Sequence, residues 1–164
     1  MHDGRGHGPS RGPIRIGAFM QATTSEITFE RLYAEVQQFY AKHLQLLDMA
    51  EAQEWAETFT EDATFSAPTL AAPVRGRTEL AAGLRRTAAE LAAAGEKHRH
   101  WHGMINVECD ADGTIVVHCY AMVIATKHGG ESRFYRICVC HDRLVRLNGE
   151  LQVRSRVVTR DDLA

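Results

Sequence analysis

"GEKHRHWHGMINVECDADGTIVVHCYAMVIATKHGG", residues 95–130, decides the fold. Up to Gly95 the apolar residues recur every three or four positions, and after it they alternate. A period of two is the signature of strands, whose side chains project to opposite faces in turn. The pattern predicts strands over 98–109 and 114–126, joined by "DADG". Two more follow over 131–146 and 150–159, after "KHGG" and "LNG". Gly-containing turns this short join antiparallel neighbours, so the second half of the chain reads as a meander of hairpins.

Upstream, Phe29, Leu32, Tyr33, Val36, Phe39, Tyr40, His43, Leu44 and Leu47 form one broad helical stripe ending near Asp48. A second, shorter helix carries Ala52, Trp55, Ala56 and Phe59. "TEDATFSAP" then reads as a turn and a short strand. A third helix has Thr78 as its N-cap, Leu80, Leu84, Ala88 and Leu91 as its stripe, and Gly95 as its stop. Three helices before an antiparallel meander predict an α+β fold, with the helices packed on one face of a strongly curved, mostly antiparallel sheet.

The 164 residues suit one domain, and 45% apolar with 24% charged residues is an ordinary globular composition. Residues 1–19 are rich in Gly, Arg and Pro without periodicity, so residues 1–24 are expected to be a flexible N-terminal tail and residues 25–162 the domain. A net charge of -2 gives no electrostatic reason to expect nucleic acid or an anionic membrane as partner. No apolar run is long enough to span a bilayer, and no secretion signal is visible. Cys109, Cys119, Cys138 and Cys140 lie in apolar or alternating segments without a CxxC pair, and are read as reduced thiols of a cytoplasmic protein.

"LLDMAEAQEWAETFTEDATFSAP", "VRGRTEL", "HGMINVECDADG" and "HDRLVRLNGELQVRSRVVTRD" stand in the order and spacing of a known group. Over about residues 28–162 the chain resembles the SnoaL-like group within the nuclear-transport-factor-like fold. The resemblance implies a cone-shaped barrel around a deep pocket. It also implies a choice among polyketide cyclases, scytalone-dehydratase-like enzymes, steroid isomerases and the β subunits of ring-hydroxylating dioxygenases. Fold alone does not choose. In the dehydratase-like branch, His102 would be the catalytic acid or base and Asp48 its orienting partner. Without the resemblance, Asp48 reads only as a helix terminator.

"HRHWH", residues 98–102, concentrates the chemistry: His98, His100 and His102 share one strand face. A metal site would need a convergent third ligand and an ordered surround, and nothing in the sequence fixes either, so no metal or cofactor is expected. Proton transfer needs only one imidazole in a water-poor cavity with a carboxylate to set its tautomer. His102 is assigned that role, while His98 and His100 are read as exposed. Trp55, Phe65, Asn106, Arg136, Cys138 and Cys140 are the expected substrate contacts, although Trp55 and Phe65 also suit a core. Arg154 and Arg156 are placed together on the polar face of the last strand.

The expected function is a small cofactor-independent cyclase or dehydratase, a lyase or isomerase in class, using general acid/base catalysis on a hydrophobic aromatic polyketide-like substrate. A homo-oligomer, dimer or trimer, follows from the resemblance. The alternatives are a non-catalytic β-subunit-like partner of a ring-hydroxylating dioxygenase, or a ligand-binding protein.

Overall fold

The computed structural model describes residues 27–163. The tail expected at 1–24 lies outside the described residues. Helix α1 (Phe29–Asp48) begins at Thr28, whose side chain accepts from the Arg31 N–H, and buries Leu32, Val36, Tyr40, His43 and Leu44 along one stripe. Helix α2 (Ala52–Glu57) is short, because Phe59 already opens strand β1 (Phe59–Ser66). Phe59 thus reaches the core from a strand, not from the helix the spacing predicted. Strand β2 (Val74–Arg75) leads into helix α3 (Gly76–Ala93), whose N-cap position is held by Arg75. Thr78 therefore sits inside the first turn instead of capping it. Gly76 makes that early start possible with φ +78°, a conformation that L side chains rarely adopt.

Gly95, at φ +60°, ends the helical half as expected. Strands β3 (Glu96–Cys109), β4 (Ile115–Lys127), β5 (Ser132–Leu147) and β6 (Glu150–Arg160) match the four predicted runs to within one or two residues. Asn148 and Gly149 both have positive φ, as a two-residue hairpin turn requires.

The sheet order is β2-β1-β6-β5-β4-β3. All pairs are antiparallel except β1 with β6, which run parallel. The sheet of the described residues is mixed and open, with β2 and β3 as its edges, so the cone-shaped barrel implied by the resemblance is not closed. Core residues of α1, α2 and α3 pack on the inner sheet face around Trp55, Phe59, Val117, Leu144 and Val153. Among the described residues no helix is long and apolar enough to cross a membrane.

The register also shifts between β1 and β6, from Phe59 to Thr64, and bulges in β3, β5 and β6 set which side chains face inward. Val107 pairs with Val117 and points into the core, so strict alternation would next bury Trp101 and Arg99. One extra residue in β3, between the Gly103–Tyr120 and Asn106–His118 pairs, reverses the phase. Met104 accommodates it at φ +49°. His98, His100 and His102 consequently turn inward, and Trp101 is left 62% exposed. A second bulge lies in β5 between Phe134 and Arg136. The third, at Arg154 in β6, lies between the Val153–Leu144 and Ser155–Arg143 pairs and turns Arg156 inward opposite Asp142.

Candidate active site

The inner face forms one wall of an open cavity of about 1210 Å³, lined by residues of all three helices and of the sheet. Beneath its floor, reached through Arg156, lies a buried polar network. Arg156, 4% exposed, donates from Nε to Asp142 Oδ1 at 2.8 Å and from Nη2 to Oδ2 at 2.5 Å. The Tyr40 hydroxyl donates to the same Oδ2 at 2.8 Å. Arg156 Nη1 lies 2.8 Å from His43 Nε2. A guanidinium can only donate, so Nε2 must accept and Nδ1 must carry the proton. Nδ1–H then donates to Thr58 Oγ1 at 2.7 Å, and that hydroxyl donates to the Trp55 carbonyl at 2.6 Å. Every link is satisfied, as a buried network requires.

This arrangement holds its charges firmly. Burial, and then the Arg156 charge, keep the His43 imidazole well below its ordinary pKa and hence neutral. Burial, reinforced by the Asp142 carboxylate, raises the Tyr40 phenol. Burial alone would lower Arg156, but the charge and hydrogen bonds of Asp142 outweigh it and keep the guanidinium protonated.

Above the floor stands the row of histidines, each with a different partner. His98 Nε2 meets Glu96 Oε1 at 2.8 Å. His100 Nδ1 meets Asp48 Oδ1 at 2.7 Å, and the His100 backbone N–H donates to both carboxylate oxygens at 3.2–3.3 Å. Asp48 ends α1, so the last turn of that helix delivers the carboxylate to the middle of β3. With Nδ1–H committed to Asp48, the His100 Nε2 is the ring nitrogen left to accept a proton. Asp48 therefore partners His100, not the expected His102. The two histidines are two residues apart on one face, roughly 6–7 Å along the strand, and only one can reach the helix end.

His102 lies deeper, edge-on to the Tyr40 ring at 4.9 Å between centroids. Its Nδ1 is 3.5 Å from Cys119 Sγ and its Nε2 is 4.0 Å from Cys140 Sγ. These three residues offer ligand-type atoms within 4.8 Å of one another. The two ring nitrogens face different sulfurs, however, so a single ion bound to one nitrogen would be turned away from one thiol. The cluster is better described as an imidazole bridging two thiols. A hydrogen bond from Cys119, followed by those of His102 and the Arg156 charge, pulls Cys140 down to about 5 against the cost of burial. Cys119 is pushed up by the same shared hydrogen bond and by burial.

Trp55, Phe65, Arg136, Cys138 and Cys140 all line the cavity. Trp55 Nε1 and Arg136 Nε are buried with no hydrogen-bond partner among the described residues. Asn106 does not join them. It lies on the outer side of the β3 bulge, exposed, donating to Glu108 Oε1 at 2.8 Å. His98 and His100 line the cavity instead of facing solvent. Arg154 and Arg156 part company across the β6 bulge, the first exposed and the second buried. Sequence reading missed His43, Tyr40, Asp142 and Arg156 as site residues. The first two stood on the predicted stripe of α1, where polar groups on a buried face were the available signal.

With an acid–histidine pair in the cavity and an ordered polar network beneath it, the fold and the site define a small α+β protein of the nuclear-transport-factor-like class. Residues 31–157 match the model of the SnoaL-like domain, and the chain belongs to that family. It is similar to Aln2 from a Streptomyces species, at 36% identity over 84% of this chain and 96% of that one, with a TM-score of 0.75. A protein from Catenulispora acidiphila solved in complex with S-DNPA is 31% identical over 81% of this chain and 96% of that one, with a TM-score of 0.70. The β subunit of a putative aromatic-ring-hydroxylating dioxygenase from Novosphingobium aromaticivorans shares the fold alone, at 19% identity over 82% of this chain and 92% of that one, with a TM-score of 0.65. No curated protein matches the chain.

Proposed function

We propose that the protein is a cofactor-independent cyclase or dehydratase that moves protons on a hydrophobic, aromatic polyketide-like carbonyl compound. The observation that carries this reading is the 2.7 Å contact between Asp48 and His100 inside the cavity. His100 Nε2 takes the proton beside the substrate carbonyl, and Asp48 stabilises the imidazolium that forms. His102, one step deeper on the same face, gives a proton to the departing or newly formed oxygen. Apolar walls from Leu44, Leu47, Phe65 and Val158 suit a ring system, while the unpaired Trp55 and Arg136 donors suit its oxygens. The same proton steps serve ring closure and loss of water. The relative solved with S-DNPA supports a small-molecule occupant.

The outer sheet face exposes Trp101, Tyr120, Ile137 and Val157, and it is the candidate surface for self-association into a homo-oligomer.

The test is turnover of a synthetic aromatic β-hydroxy ketone by the isolated chain, followed by the absorbance of the conjugated product. Asp48→Asn removes a charge-assisted hydrogen bond of about 1.5–3 kcal/mol, so kcat is expected to fall roughly 10- to 150-fold with KM little changed. A rise in KM alone would argue for a ligand-binding role of Asp48. Turnover only in the presence of a second, larger subunit would favour the partner-subunit reading.

A further inference from the structure

The thiol pair on the cavity floor is not used by the proton transfers above. Cys119 and Cys140 stand directly opposite each other on β4 and β5, with His102 on β3 against both. Both are buried, but Cys140, 3% exposed, lines the cavity, whereas Cys119, 1% exposed, lies beneath it. The Arg156 guanidinium is also on the cavity floor, and its charge acts on Cys140. A thiol with an imidazole to take its proton and a fixed cation nearby is an activated nucleophile, because the thiolate is the reactive form. Two small apolar residues would fill the same cross-strand positions without a buried titratable cluster.

We propose that Cys140 is a nucleophilic thiol, activated by His102, that adds reversibly to α,β-unsaturated carbonyl compounds held in the cavity. The soft sulfur favours the β carbon of such compounds, and the apolar walls favour flat, ring-bearing ones. In the step, the Cys140 proton passes to His102. The sulfur forms an S–C bond to the β carbon, and the C=C π pair moves onto the carbonyl oxygen as an enolate. The His102 proton is returned to the α carbon. The sum is addition of S–H across a double bond, with no oxidant or reductant. In naming an enone the proposal rests on the dehydration reading, since loss of water from a β-hydroxy carbonyl compound yields one. The thiol would then retain or sense the product.

The protein offers its own control. Cys109 is an exposed thiol at the end of β3. The experiment treats the full chain with benzylideneacetone, an aryl enone, and follows adducts by intact mass and peptide mapping between pH 5.5 and 9. Cys140 is expected to be labelled at least about tenfold faster than Cys109 at pH 6, where an ordinary thiol is almost wholly protonated. Its rate should change little with pH, while that of free cysteine added as a reference thiol should fall about tenfold per unit below the ordinary thiol range. His102→Gln should slow Cys140 at least about tenfold and restore a steep pH dependence. His102→Asn provides a second variant should the first not fold.

Labelling of Cys109 first, with Cys140 untouched, would overturn the proposal. So would Cys140 labelling that His102 variants leave unchanged. Asp48→Asn separates the two readings: it should lower kcat roughly 10- to 150-fold and leave Cys140 labelling intact. Loss of labelling there would overturn the assignment of His102 as activator. Intact labelling with intact turnover would sink the dehydration mechanism alone.

Discussion

Asp142→Asn is the most informative single change, because it alters one charge at nearly constant shape. In the folded protein Asp142 is 1% exposed and receives three hydrogen bonds, two from Arg156 and one from Tyr40. The amide keeps one acceptor oxygen but puts an NH₂ group against a guanidinium that is itself a donor. Arg156 is then a buried cation without a counter-ion. Removing one partner of such a pair costs about 3–5 kcal/mol, since the remaining charge has lost both water and its partner. A domain of this size has roughly 5–15 kcal/mol in all, so the variant should be folded but markedly weakened.

Urea unfolding followed by fluorescence and circular dichroism measures this directly. The midpoint should fall with the slope unchanged, because the surface exposed on unfolding is the same. The double change Asp142→Leu with Arg156→Met should recover most of the loss, leaving about 1–2 kcal/mol for the Tyr40 and His43 groups that have lost their partners. A cost for Asp142→Asn below about 1 kcal/mol would refute the reasoning. It would mean that Arg156 is neutralised elsewhere, the Cys140 thiolate being the nearest candidate.

Two further outcomes follow from the same structure. His43 stays neutral when folded but protonates near its ordinary value when unfolded. As pH falls through about 6.5 the unfolded state gains a proton that the folded state does not, so stability is full above that pH and declines below it by up to about 1.4 kcal/mol per unit. Denaturant titrations at pH 7.5 and 5.5 should show this decline, and His43→Gln should remove its share. At the β3 bulge, Met104→Val puts a β-branched residue at φ +49° and should cost about 1–2 kcal/mol, whereas Met104→Gly should be close to neutral. Equal effects of the two would show that the bulge residue is not held in that conformation.

The sequence by itself determined the elements and the family. The α1 stripe, the stop at Gly95 and the three hairpin turns are local signals, written in spacings of three and four, in alternation, and in residues that tolerate positive φ. They placed four strands to within a residue or two, and their order along the chain carried the resemblance to the SnoaL-like group. Alternation also showed that His98, His100 and His102 share a face. It could not show which face, because a period of two carries no absolute phase and one inserted residue reverses it. That residue is Met104, and only pairing with β4 reveals it as extra.

The same limit separated Arg156 from Arg154 and sent Asn106 to the outside. The partners of the site residues were hidden for a related reason. Asp48 reaches His100 from 52 positions away, and His43 reaches Arg156 from 113. Such contacts depend on where a helix ends relative to a strand, which no local pattern encodes. Tertiary structure alone decided which imidazole has the carboxylate and which has the thiols.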